Sequence, residues 1–584
     1  VRSDGDHDLL SYFGQELAAL REASQDFARR HPRVAQGLDL SGQESRDPHV
    51  ERLIESFAYL TGRLQRELDR EFPRVASGIL ENVCPSLMAP VPSLSVAQLS
   101  PAQATARSRA VILPERTALS AVSDNGVTVR FQTTRSTTVW PIQIRQVELT
   151  DLGHLCITIE PNLEADLKAL QIDILDLYLH GDWRRVGGLL DLIGSRTTPV
   201  LTGESADRLR VVSAARIQIP DIAGSAVSPG LPPGGHPAYL LLQEYFACPQ
   251  RFNFLRVTGV RECFLANGPT VIAFDLGAAA RRLPNLGVDH IKLGCVPVVN
   301  LFRRTSEPIT LREDQLEYRL VADRTHEATT EIHSILQVTS SQPGAARPEV
   351  IAPHAAVQED YSDPLCWISR RDQALREDLT GTDVFLSFVD AALDQPEQLP
   401  AIVYADVLCT NRGVAEQLPA GARLQVEGSQ AGIEARLCFE PSRQRMPPLA
   451  GDSVWRLTQL LTLSHGSLIQ TATAHKRLLG LLSLFAGSSR RDAEQISGLT
   501  SIRVDPCTLR RPDMPWQPFC PGLSVRLELD PQAFSSGSMV IFSGVIARFL
   551  SLYCSVDRFV QTSVWRGEDE LISWPPMAGE QELL

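Results

Sequence analysis

The sequence predicts a multidomain α+β protein: an N-terminal helical hairpin or bundle region, β-rich domains after it, and a mixed α/β C-terminal region. Three observations predict this. The chain has 584 residues, and at roughly 150 residues per domain it holds about four domains and more than one hydrophobic core. Over the first hundred residues apolar side chains recur every three or four positions, the period of a helix buried on one side. From Arg109 onward the period changes to two, the signature of half-buried strands.

The first predicted helix carries Leu10, Phe13, Leu17, Leu20 and Phe27 on one stripe. It should stop near His31 and Pro32, because proline restricts the residue before it and donates no hydrogen bond. A second helix is expected after Asp47 as N-cap, with Pro48 in the first turn, where a missing N–H is harmless. Its stripe is Val50, Ile54, Phe57, Thr61, Leu64 and Leu68, ending at Phe72-Pro73, and a shorter helix covers Val75 to Val83. These helices suggest an antiparallel pair.

A Pro/Ser/Ala-rich stretch follows Cys84. Strands are then expected around Val129, Ile142, Ile157 and Ile172, over Asp176–Asp182, Thr197–Leu201 and Val211–Ile219, and at Cys263–Leu265 and Val271–Phe274. Ser228 to Pro237, rich in proline and glycine, is a loop or arm, and Leu240–Phe246 a short helix. Alternation over residues 290–340 ends in Glu331–Val338. Further strands are expected at Val384–Phe388, Ala401–Cys409, Leu424–Val426 and Ala435–Phe439. Helices return at Val454–Leu463 and Thr473–Phe485, then strands at Ile502–Val504 and Leu523–Leu529, and a last helix at Val545–Tyr553. The segments are 1–95 (helical), 96–225 (β-rich), 226–345 (mixed α+β), 346–450 (β-rich) and 451–584 (C-terminal α+β), with no internal repeat.

Lys plus Arg number 56 against 69 for Asp plus Glu, a formal net charge of −13 spread along the chain. That balance disfavours a general nucleic-acid coat protein. The only lysines are Lys168, Lys292 and Lys476, so arginine carries nearly all the positive charge. Genomic codon composition explains this skew, as does a use for forked guanidinium contacts at interfaces. The 11 cysteines form no CxxC pair and are expected to be reduced and mostly buried, as in a reducing compartment. Val1 to Asp8 are polar and acidic, without a basic start or apolar core, so no secretory signal is expected. Met539 to Cys554 is too short, and is interrupted by Arg548, for a membrane span.

Catalytic motifs fail on spacing. His326-Glu327 opens like a zinc-protease signature, but the next imidazole is His333, and HExxH needs both one helical turn apart. Ser464-His465-Gly466-Ser467 places hydroxyls beside an imidazole, but no GxSxG elbow surrounds them. Neither a GxxxxGK[ST] loop nor a GxGxxG turn is present. Glu568-Asp569-Glu570 reads as a solvated turn. No catalytic, cofactor or metal residue is expected.

Several blocks, in order along nearly the whole chain, resemble the TssF (ImpG/VasA) family, the baseplate subunit of the type VI secretion system. They are Leu10 to Phe27, Asp47-Pro48-His49-Val50-Glu51-Arg52-Leu53, Phe57 to Pro73, Cys84-Pro85 and Pro90 to Val96. Tyr245 to Pro249, Cys295-Val296-Pro297-Val298-Val299-Asn300-Leu301-Phe302, Cys409-Thr410-Asn411-Arg412-Gly413, Trp455 to Leu468 and Phe549 to Val560 continue the match. Ser464 and Asp557 stand where the family usually has Asn, and the arginine usual after the terminal prolines is missing.

The resemblance implies a non-enzymatic wedge component of a contractile injection machine, with no cofactor, nucleic acid or small-molecule substrate. Its expected partners are TssG, at two TssF copies to one TssG, a second TssF copy, TssK, TssE and the VgrG hub, with indirect contact to the membrane complex. The expected place is the cytoplasm, at the inner face of the membrane once assembled, where the wedge starts tube and sheath assembly. Phe13, Leu17, Leu20, Phe57, Leu60 and Leu64 are then packing residues, within the chain or against a partner helix. Asp47 and Pro48 set a helix start, and Arg52 is a surface residue or pairs with a carboxylate. Asn411, Arg412 and Gly413 shape a turn, with Arg412 as a possible interface anchor. The alternatives are a baseplate wedge of a phage or other contractile system and, more remotely, a serine hydrolase.

Overall fold

The computed structural model describes residues 13, 14, 16–21, 24, 29, 30, 48–101, 109–162, 167–195, 198–220, 236–264, 268–312, 314–341, 348–354, 365–376, 378–390, 402–428, 432–449, 452–461, 474–487, 489–510 and 519–580. They fall into two compact units, one of residues 1–80 with 448–459, the other of 81–447 with 460–584.

In the first unit, Phe13, Leu17 and Leu20 are helical, as their spacing predicts. The predicted stop at His31-Pro32 and the Asp47 cap lie outside the described residues. The helix α1 (Pro48–Val83) runs for 36 residues. Two separate helices were expected on either side of Pro73, and this is corrected: the helix passes straight through the proline. Proline removes one i→i−4 hydrogen bond, a penalty of about 3 kcal/mol. Apolar positions on both sides, including the buried Ala58, Ala76 and Leu80, hold the flanking turns.

The second unit is dominated by sheets that cross the segment boundaries. A closed six-stranded antiparallel barrel joins Leu94–Pro101, Cys295–Val299, Thr128–Thr133, Ala118–Val122, Arg423–Val426 and Ile433–Leu437. Its interior is filled by Leu99, Leu119, Val129, Phe131, Val296, Val298 and Leu437. Leu94–Pro101, within the Pro/Ser/Ala-rich stretch, is a strand paired on both sides.

An eight-stranded sheet runs Phe302–Thr305, Ile402–Thr410, Glu331–Ser341, Glu349–Pro353, Leu365–Gln373, Thr382–Asp390 and Tyr318–Leu320, with Ile309–Thr310 also on Ile402–Thr410. Two further sheets, of five and four strands, are built from residues 142–292. Cys263, expected in a strand, ends the 3-10 turn Arg261–Cys263.

The C-terminal sheet places Phe519–Leu529 parallel to Phe559–Arg566, the chain crossing over through a helix. That helix, Met539–Leu552, begins six residues before the predicted start and is capped by the Ser538 hydroxyl, which accepts the Ile541 N–H at 3.2 Å. It is buried on every side. Helix α2 (Trp183–Gly194), which periodicity did not reveal, lies against it. A Cβ on Gly187 would sit 2.2 Å from the Gly537 carbonyl oxygen, and one on Gly194 2.5 Å from Val540. The Asp191 carboxylate accepts the Ser538 hydroxyl at 2.6 Å and the Val540 N–H at 3.1 Å, joining the two helices. Phe549 stacks on Tyr553 with centroids 5.7 Å apart and meets Tyr239 of the helix Pro237–Ala247 at 6.4 Å.

Phe549 is fully buried at the centre of this aromatic cluster. Phe549→Ala is expected to lower the free energy of unfolding by about 3–5 kcal/mol, read from urea denaturation, because the cavity cannot collapse between three packed elements.

Candidate interaction helix and buried polar joint

Helix α1 has two different apolar sides. Ile54, Thr61 and Glu51 are half-buried and Ala58 and Gly62 buried, which marks one side as turned inward. The Arg21 guanidinium of the first unit donates to Glu51 on that side. The second side carries Leu53, Phe57, Leu60 and Leu64, exposed by 71, 54, 56 and 62 %. Their spacing of four, three and four residues keeps them in one narrow stripe, about 100° around the axis from the buried side. The predicted stripe through Ile54, Phe57, Thr61 and Leu64 therefore merged two faces. Ala58 and Gly62 with Ile54 and Thr61 take the inner one, and Leu53, Phe57, Leu60 and Leu64 the outer. Pro48 and Arg52 are exposed as well. Full burial of a Leu or Phe contributes about 1.5–3 kcal/mol, and these four side chains in register leave a contiguous apolar stripe facing solvent.

The Cys295–Phe302 and Cys409–Gly413 blocks come together in the second unit. Asn300 follows the barrel strand Cys295–Val299, and Asn411 follows the sheet strand Ile402–Thr410. The Asn300 Nδ2 donates to the Asn411 Oδ1 at 2.9 Å and to the Arg130 carbonyl at 2.6 Å. In return the Asn411 N–H donates to the Asn300 Oδ1 at 2.7 Å. The Asn411 Oδ1 also accepts the Arg130 N–H at 2.9 Å, and its Nδ2 donates to the carbonyls of Thr128 and Thr329. Two buried amides thus tie the barrel to the large sheet.

Arg412 continues this joint. Its φ of 50° is left-handed backbone, rare for a side chain of this size. The guanidinium is 5 % exposed. It donates through Nε to the carbonyls of Glu327 and Thr330, both at 3.2 Å, and through Nη1 to that of Thr380 at 2.7 Å. Glu331 stands 3.8 Å away and accepts the Thr382 N–H and hydroxyl at 2.8 and 2.6 Å and the Gln444 amide at 2.7 Å. A Cβ on Gly381 would lie 2.1 Å from Arg412 Nη1, so glycine is required there on steric grounds as well as by its φ of +135°. The expectation that Arg412 could anchor a partner is corrected: its donors are turned into the chain. Gly413 lies in the following 3-10 turn Arg412–Gln417.

The other candidates disperse. His333 is buried in a strand, His326 bonds to Asp323 on the surface, and among the described residues no group of three metal-ligating side chains exists. Ser464, His465 and Ser467 lie outside the described residues. None of the eleven cysteines is in a disulfide, and nine are buried. No described helix is long and apolar enough to cross a membrane.

Sequence reasoning missed Glu81 and its partnership with Arg371. The Arg371 N–H donates to Glu81 Oε1 at 2.7 Å, and its guanidinium reaches the carbonyls of Ile332 and His333 at 2.8 and 2.7 Å. Burial raises the Glu81 carboxyl to about 7, against the opposing pull of the Arg371 N–H and charge. Burial, helped by Arg371, holds the His333 imidazole down at about 3, so it stays neutral.

Asn411→Ala would strand the Arg130 N–H and take from Asn300 Nδ2 one of its two acceptors, with an expected loss of about 2–4 kcal/mol in urea unfolding. The double variant with Asn300→Ala should lose less than the two singles together, by about 1 kcal/mol or more. A raised carboxyl contributes stability below its ordinary value of 4.5, and that contribution is lost as pH rises to about 7. Glu81→Gln should therefore gain on the wild type between about pH 5 and about pH 8, by at most about 3 kcal/mol in the same measurement.

Comparison with known proteins agrees with this architecture. A type VI secretion system component, TssF1, of Pseudomonas aeruginosa is 30 % identical to this chain, covering 98 % of it and 99 % of its own length. The chain superposes on a subunit of a TssK-TssF-TssG baseplate subcomplex seen by cryo-electron microscopy with a TM-score of 0.72, at 22 % identity, over 91 % of this chain and all of that one. A subunit of a type VI secretion baseplate complex superposes with a TM-score of 0.58, at 21 % identity, over 98 % of this chain and all of that one. The family described as "Type VI secretion system, TssF" matches residues 5–581, and the chain belongs to it as a baseplate component of that system.

Proposed function

We propose that this chain is a non-enzymatic scaffold of the baseplate wedge, built to be completed by other chains. Two copies join one TssG, and the wedge works with TssK and TssE around the VgrG hub. It docks from the cytoplasm on the membrane complex and starts assembly of the tube and sheath. The observation that carries the reading is the exposed Leu53, Phe57, Leu60 and Leu64 stripe on α1. A helix of this length with a bare apolar side is what a partner helix covers in a bundle. TssG and TssK are named with TssF in the similar cryo-electron microscopy subcomplex.

The phage-wedge alternative yields to the family match. The hydrolase alternative rests on residues 464–467, outside the described set, while the family is one of structural baseplate subunits.

Co-expression with a candidate TssG partner, followed by native mass measurement, tests the proposal. The wild type should give a 2:1 complex. Leu60→Glu with Leu64→Glu should leave the melting temperature close to wild type, since both side chains are exposed, and weaken the complex by about 100-fold or more. A folded double variant that assembles as well as the wild type would remove α1 as the partner seam.

A further inference from the structure

Within the second unit, a cavity of about 600 Å³ opens between residues 81–88 and the eight-stranded sheet, within the usual size of a ligand site. Met88, Ile335, Val350, Ile351 and Trp367 make its walls apolar, and Glu81 lines it too. The cavity exists because the sheet separates there. Glu331–Ser341 pairs with Glu349–Pro353 only over Val338 to Ser340, and Leu365–Gln373 pairs with it only at Cys366 and Trp367. The strand edges at residues 333–337 and 368–371 therefore face each other across a gap, with no strand between them among the described residues.

Polar groups around the gap are unequally matched. The Arg371 guanidinium is committed to the carbonyls of Ile332 and His333 and to the Thr382 hydroxyl. Arg370 is committed to Glu317 and Asp372. Glu81 is only 9 % exposed, and while its Oε1 accepts the Arg371 N–H, its Oε2 has no hydrogen-bond partner among the described residues. The unmet group is a buried carboxyl oxygen, an acceptor once the raised carboxyl ionises above about pH 7, so the matching occupant brings a donor. An apolar cleft with a carboxylate in its wall selects an aliphatic stem ending in a cation.

We propose that this cleft receives a lysine side chain presented by an extended segment of a partner protein, with the ammonium group on Glu81 Oε2 and the segment's backbone along the open strand edges. Apart from the His333 carbonyl and the Arg371 N–H, which are already bonded, the edges supply main-chain hydrogen bonds, the apolar walls take the flanking side chains, and the carboxylate selects the basic residue. A second copy of this chain is a poor source, with three lysines in 584 residues.

Fluorescence anisotropy with a fluorescein-labelled peptide, Thr-Val-Lys-Val-Thr, capped at its C-terminus, tests this on the full chain. Counterparts carry norleucine or glutamate in place of the lysine. The lysine peptide should bind about tenfold or more tightly than either. Glu81→Gln keeps an acceptor for the Arg371 N–H and should bring the lysine peptide down to the norleucine level. Val350→Lys, at an exposed position on the mouth, should fill the site from within the chain and abolish binding, and it decides the matter if Glu81→Gln does not fold. Equal binding of the three peptides, no saturable binding by any, or a lysine preference that survives Glu81→Gln would overturn the proposal.

Discussion

Asn300 and Asn411 meet where the barrel and the eight-stranded sheet touch, and the arrangement of both layers depends on that meeting. Each amide follows the last residue of a strand, so each is placed by a ladder of backbone hydrogen bonds. Between them they satisfy the Arg130 N–H and the carbonyls of Arg130, Thr128 and Thr329. These are groups that a packed junction would otherwise leave without water or partner, and a buried polar group in that state is costly. Apolar side chains could fill the same volume but could not set the register between the two layers.

Arginine does similar work further out. The Arg412 and Arg371 guanidiniums are directed at strand and turn carbonyls instead of at solvent, and Arg251 is buried against Glu244. A planar fork reaches two or three carbonyls at once, which a lysine ammonium does less well. The arginine-rich composition therefore has an interior use at the joints between layers. This does not exclude the genomic cause, since either origin leaves the same side chains available.

Much of the fold was legible because local periods survive folding. The alternation of Glu331–Val338, Leu523–Leu529 and Leu155–Ile159 marked real strands. Helix α2 was obscured because Gly187, Gly188 and Gly194 lower helix propensity. Its signal was there in the Asp182 cap and in Val186, Leu189, Leu190 and Ile193 at helical spacing. The glycines serve close approach to the C-terminal helix, a demand set by residues some 350 positions away. Glu81 gave no local sign, since a glutamate in a long amphipathic helix reads as a solvated one.

By itself the sequence determined the α+β class, the long helix after Pro48, the absence of familiar catalytic spacings and, through its ordered blocks, the resemblance to TssF. Only the tertiary structure decided which side of α1 stays bare, that the helix runs through Pro73, that Asn300 and Asn411 face each other, and that Arg412 turns inward. The reason is physical. Periodicity reports that a face is apolar, and caps report where an element begins, because both are set by neighbours within a few residues. Whether a face is covered, or a buried carboxylate keeps an open oxygen, depends on surfaces brought together from distant parts of the chain.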